Sequence, residues 1–87
     1  MYYTQTQIAE ELKIPKSTLS DRIKRFGALI DTTYEDGKIS YTECAKDQMK
    51  LIEYAYQNKY SNSDIKLELS ALLVAYKTIH KVQQMKI

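Results

Sequence analysis

The apolar residues from Ile8 to Phe26 fall into two short helical stripes with a break between them. Ile8, Ala9 and Leu12 share one face of a first helix that ends near Lys13. Thr6 is one candidate for its N-cap. Thr4 is the other, with Gln7 three residues on as in a capping box. Ile14 then points inward across a turn, and Pro15 sits at or just before a helix start. Leu19, Ile23 and Phe26 follow at spacings of four and three, which places them on one stripe facing Ile8 and Leu12. Ser17 is the expected cap of this second helix, with Lys16 or Thr18 able to shift the boundary by a residue. Gly27 is the expected stop, after which Ala28, Leu29 and Ile30 return the chain to the core.

The period then changes from helical to alternating. Asp36-Gly37 is a strong two-residue hairpin signal, because that turn needs two positive φ angles. It predicts strands over 32–35 and 38–41, with Ile39 and Tyr41 on one face. A lone hairpin is marginal in water, so this one must lean on the helices. Thr42 caps a third helix whose inward stripe is Ala45, Met49, Ile52 and Tyr56, with Ala55 beside it. Residues 58–63 are polar and turn-like, with Asn62 or Ser63 as the cap of a further helix. No proline or glycine occurs after Gly37, so residues 64–85 form one long helix or two broken near Leu69-Ser70. In that tail Leu69, Leu72, Tyr76, Ile79 and Gln83 recur at three- and four-residue steps, flanked by Leu73 and Val82. The stripe covers about two heptads. It serves either self-association, through Leu69, Leu72, Leu73, Tyr76 and Ile79, or packing on the chain's own domain.

Length and composition narrow the classes. With 87 residues the chain is one domain, small enough that a partner chain would add stability. Its 44% hydrophobic and 28% charged content is that of a folded protein. Cys44 is the one cysteine; it excludes an internal disulfide, and its ordinary role is a small semi-buried side chain. No apolar run reaches the length of a membrane span and no signal segment follows Met1, so a cytoplasmic location, on nucleoid or plasmid, is expected. No CxxC, HExxH, GxSxG or glycine-rich phosphate loop is present, so an enzyme is not expected. Around His80 the sequence places no Cys, Asp or Glu at metal-ligand spacing. Neither a cofactor, a metal nor a small-molecule effector is expected.

Net charge is only +2, but its distribution is uneven. Residues 13–25 carry Lys13, Lys16, Arg22, Lys24 and Arg25 against Asp21 alone, a local net charge of +4. A short helix, apolar on one side and basic on the other, suits a DNA major groove. Arg22 and Arg25 are the leading contacts, since arginine offers a rigid donor fork to guanine or phosphate. Lys16, Ser17 and Thr18 stand at the helix start, where backbone amides favour an anion. Asp21 either accepts from a base or orients Arg22 or Arg25. Ser20 and Lys24 complete the face, and Lys38 is the one cation at the hairpin turn. The competing class is a protein-binding module built on the same scaffold.

The order helix, turn, basic helix, hairpin, helix, polar turn, helix resembles the DNA-binding domain of the MerR-like winged helix-turn-helix proteins. Tyr3-Thr4 looks like the Tyr-Thr that opens the family's first helix, and Ile8-Ala9 like its Leu-Ala pair. Ile14 and Thr18-Leu19 look like the valine and Thr-Leu of its turn and second helix. Tyr41-Thr42-Glu43 resembles the Tyr-Ser-Glu that closes the wing, and Tyr60-Ser61 with Ile65 the Phe-Ser and Ile of the last helix start. The resemblance covers roughly residues 3–69 and implies a mostly α fold with a small β-hairpin; the chain then divides into a DNA-binding domain over residues 1–69 and, from its own apolar stripe, a C-terminal helix over 70–87. It implies double-stranded DNA as partner, with the chain acting as a homodimer or in arrays. Family roles include transcription regulation, excision and plasmid partition. Two departures stand out. Ser20, Asp21 and Arg22 occupy the positions where family regulators carry an arginine and paired tyrosines, and the hairpin turn has Glu35 and Asp36 where arginines are common. Residues 1–87 hold no room for an effector domain, and these departures favour either the small architectural, segregation or excision relatives or, equally, one domain of a longer protein.

Overall fold

The computed structural model describes residues 2–85, and side chains through residue 82. It is mostly helical, with one two-stranded antiparallel hairpin between the second and third helices.

Helix α1 spans Gln5–Leu12. Its cap is Thr4 rather than Thr6: the Thr4 hydroxyl accepts from the Gln7 amide at 3.1 Å, and the Gln7 side chain accepts from the Thr4 amide at 2.8 Å. Two otherwise orphaned amides are satisfied at once. The helix ends on Lys13, which is left-handed at φ 58°, and the Ile14 amide reaches back to the Ala9 carbonyl. Helix α2 spans Lys16–Phe26. Ser17 is not its cap. Pro15 takes that place, with φ −60° already set by its ring and its carbonyl accepting from the Leu19 amide at 3.2 Å. Ser17 therefore lies inside the first turn. Leu19 and Phe26 are buried and Ile23 half-buried, packing α2 on α1 and on the core.

Helix α2 stops at Gly27 as expected, though not by a left-handed turn: Gly27 keeps φ −55° and opens a single 3-10 turn, Gly27–Leu29. Strands β1 (Thr32–Glu35) and β2 (Lys38–Tyr41) pair Thr32 with Tyr41 and Glu35 with Lys38. Asp36 at φ 51° and Gly37 at φ 76° make the turn. Tyr3 adds a third edge, exchanging two backbone bonds with Tyr41 at 2.8 and 2.9 Å. Tyr41 is buried, but Ile39 remains 53% exposed. The hairpin rests on the core only at its base, and Ile39, nearer the turn, overhangs it.

Helix α3 (Glu43–Gln57) is capped by the Thr42 hydroxyl, which accepts from the Ala45 amide and donates to the Asp31 carboxylate. Cys44, Ala45, Gln48, Met49, Ile52 and Ala55 form its buried face. Lys59, left-handed at φ 59°, closes it. Helix α4 is one unbroken element, Asn62–Met85. Its first amides meet the Ser61 hydroxyl, which accepts from Asp64 at 3.2 Å, so neither Asn62 nor Ser63 is the cap. Ile65 and Leu69 seal the core formed by Ile8, Leu19, Phe26, Met49 and Ile52. Among the described residues, no helix is long and apolar enough to cross a membrane.

Candidate nucleic-acid interface

The geometry of α2 sorts its polar residues by their angle from the core. Leu19, Ile23 and Phe26 fix the inner side. At 100° per residue Ser17, Asp21, Lys24 and Arg25 then project away from the core, and all four are exposed. Lys16 is exposed beside the helix start, and Thr18 is half-buried. Ser20 is also half-buried, and its hydroxyl accepts from the Gln5 side chain on α1. Ser20 thus joins the two helices and is not a free polar group of the outer face.

Arg22 lies at the flank, next to α3. Its Nε donates to Glu53 Oε1 at 2.9 Å, and both side chains are largely covered, at 23% and 17% exposure. The guanidinium carbon sits 4.0 Å from the centre of the Tyr56 ring, an arrangement attractive for a cation over an aromatic face. Arg25 donates from Nη1 to the Tyr56 hydroxyl at 2.9 Å. Tyr56 is itself tilted against Phe26 at a centroid separation of 6.4 Å. Asp21, Arg22, Lys24, Arg25 and Tyr56 thereby line one polar hollow between α2 and α3. Lys38 is not in that cluster; it stands on the hairpin, across the ladder from Glu35.

Two residues of this cluster escaped sequence reasoning. Glu53 stands out in the sequence only as one acid among several in the middle of the chain, and Tyr56 only as a core aromatic. They stand three apart on α3 and so share a face, but their meeting with Arg22 and Arg25 spans 31 residues and leaves no local pattern. The partner that Arg22 bonds is Glu53, and Asp21 stands in the same hollow.

Elsewhere, Lys46 lies 4.5 Å from the Tyr3 ring centre and near Glu11 and Glu43, at 3.6 and 3.5 Å. The hydrogen bond to Tyr3 raises the Lys46 pKa, and the bond from Tyr3 lowers that of Glu43. This network fastens α1 to α3 and leaves no free cation for a ligand. Burial pushes the Cys44 thiol up to about 11, so it is neutral and unreactive near neutral pH. Among the described residues, no three metal-ligating side chains come together.

On α4 the association stripe read from the sequence is claimed by the chain's own core at one end only. Leu69 is fully buried, Leu72, Leu73 and Tyr76 are half-buried, and Ile79 is 57% exposed. The Gln83 side chain lies outside the described residues. Away from Ile65 and Leu69 runs a second strip, Leu67, Ala71, Val74, Ala75, Thr78 and Val82, all exposed and without a charge, of which Val74 and Thr78 also border a groove with Asp31, Thr42 and Cys44. No protein-family model matches the chain, and neither a curated protein nor a solved structure is detectably similar to it.

Proposed function

We propose that this chain is a MerR-like winged helix-turn-helix domain that binds double-stranded DNA sequence-specifically, as a transcription regulator or a plasmid or mobile-element DNA-organising factor. The observation that carries the reading is the outward face of α2, where Ser17, Lys24 and Arg25 are exposed and Arg22 flanks them. A helix of this kind fits the major groove, with arginine forks for guanine edges and lysines for phosphates. Arg22 and Arg25 contact bases, Thr18 contacts a base or phosphate, and Lys16, Ser17 and Lys24 hold the backbone. The hairpin is the wing. With Glu35 and Asp36 at its tip and Lys38 beside them, it adds little phosphate affinity.

The test begins with selection of duplexes from a random pool by the native protein. Arg25→Ala should then cost about 1 to 3 kcal/mol on the selected sequence and far less on scrambled DNA. Lys24→Ala should weaken both alike and reduce the salt slope by about one. Absence of any salt-dependent duplex binding would overturn the reading. A second reading, a protein-binding module, is favoured by the uncharged outer strip of α4. The same strip supports a homodimer as the DNA-binding form.

A further inference from the structure

The two arginines of α2 are held before any ligand arrives. We infer that Glu53 and Tyr56, on α3, are positioning residues that set the guanidinium groups of Arg22 and Arg25 for base recognition and so determine sequence specificity. This rests on the DNA-binding reading.

Three features of the cluster lead there. First, Glu53 takes only the Nε–H of Arg22. Guanidinium has five donors, so both Nη groups keep theirs, and it is the Nη pair that suits guanine O6 and N7 or two phosphate oxygens. A carboxylate bound end-on to the two Nη atoms would have blocked the fork; bound through Nε it braces it. Second, Tyr56 works on both arginines. Its ring lies beneath the Arg22 guanidinium plane and its hydroxyl accepts from Arg25 Nη1. Two long, flexible side chains are thereby tied to one rigid aromatic, itself packed on the buried Phe26 ring. Side chains ordered in advance lose less entropy on binding. Third, the bracing groups come from another helix. The register of the arginines over DNA is therefore set by the packing of α2 on α3 rather than by α2 alone.

Glu53 also places a negative charge beside a surface that meets phosphates. That charge weakens association with DNA of any sequence. Loss of the charge and loss of the brace should therefore move two affinities in opposite directions, which a merely structural role cannot do.

The experiment uses the full chain and a duplex selected by it from a random pool. Affinities of wild type, Glu53→Gln and Tyr56→Phe are measured for that duplex and a scrambled one at fixed salt, with thermal unfolding as a fold check. In Glu53→Gln the scrambled duplex should bind about threefold tighter, as one anionic charge leaves the surface, while the selected-to-scrambled ratio falls about tenfold. Tyr56→Phe keeps the ring under Arg22 and loses only the bond to Arg25. It should lower the ratio severalfold and leave scrambled binding unchanged. Parallel tightening on both duplexes with an unchanged ratio would overturn the inference, leaving Glu53 a plain repulsive charge. Parallel weakening with a lowered melting point would overturn it in favour of a structural tie. A wild-type chain that binds no duplex in a salt-dependent way would overturn the DNA reading itself, an outcome distinct from a wild type that discriminates and variants that do so equally well.

Discussion

Gln48 is fully buried among apolar neighbours, and its amide is used at both ends. Its Oε1 accepts from the Asp31 amide at 2.9 Å, and its Nε2 donates to the Leu29 carbonyl at 2.6 Å and toward the Leu69 carbonyl at 3.4 Å. One side chain thus fastens the exit from the 3-10 turn to α3 and α4, and so fixes where the hairpin leaves the core. Among the described residues no other bond is made by the Leu29 carbonyl or the Asp31 amide, so an apolar replacement leaves a half-buried carbonyl and amide without their partner. Gln48→Leu should destabilise the chain by about 2 to 4 kcal/mol, read as a shift of the urea midpoint at unchanged slope. A loss under about 1 kcal/mol would mean that water takes over both groups. Gln48 was within reach of the sequence. It stands three residues after Ala45 and four before Ile52, on the buried stripe, and a polar residue at such a position marks backbone groups in need of a partner. A stripe read from its apolar residues alone passes over it.

At the scale of elements, the hairpin was legible to the residue because its information is local: Asp36 and Gly37 tolerate the positive φ that the turn needs, and the flanking strands follow by pairing. Helix ends were less legible where a side-chain preference competed with the backbone. Ser17 is a better capping residue than proline by propensity, yet the preset φ of Pro15 starts the helix first. The two left-handed lysines are a sharper case. Lys13 and Lys59 close α1 and α3 in the same manner, each followed by an amide that bonds five residues back, Ile14 to Ala9 and Tyr60 to Ala55. Glycine is the usual residue there because a Cβ crowds the following carbonyl, and nothing in a lysine announces that conformation. Lys59→Gly should therefore stabilise the fold by about 0.5 to 1 kcal/mol, since relief of the left-handed strain exceeds the added freedom of the unfolded chain. Lys13→Gly should do the same. Chemical denaturation checks both, and a loss of stability in either would show that the lysine side chain contributes more than its backbone strain costs.

For the whole molecule, the radius of gyration is 13.5 Å against about 12 Å for an average domain of this length. The excess comes with the long α4, which runs on past Tyr76, whose hydroxyl donates to Asp47 on α3. The sequence showed a stripe at helical spacing but not which side of α4 the domain would claim. That choice depends on α3: Ile65 and Leu69 enter the core, and Leu72, Leu73 and Tyr76 beyond them are half-buried. The same dependence hid the clamp between Arg22 and Glu53, whose partners meet only once α2 and α3 are packed. What remains for a partner is the uncharged strip on the far side, where Leu67, Val74 and Val82 are 68%, 61% and 49% exposed. A helix apolar on two opposite faces is usually covered on both. The strip is symmetric in sequence: an antiparallel pairing centred between Val74 and Ala75 sets Leu67 against Val82 and Ala71 against Thr78. A second copy would cover it without a buried charge and, on the proposed DNA-binding reading, would bring two α2 helices into one complex. Sedimentation should show a reversible dimer that Val74→Glu converts to monomer with the melting point of the monomeric fold little changed, because this side chain is 61% exposed. On DNA, that variant should lose affinity for a two-site duplex by about tenfold or more while keeping its affinity for a single site. A wild-type chain that stays monomeric at millimolar concentration, or a Val74→Glu chain that still dimerises, would remove α4 from the interface.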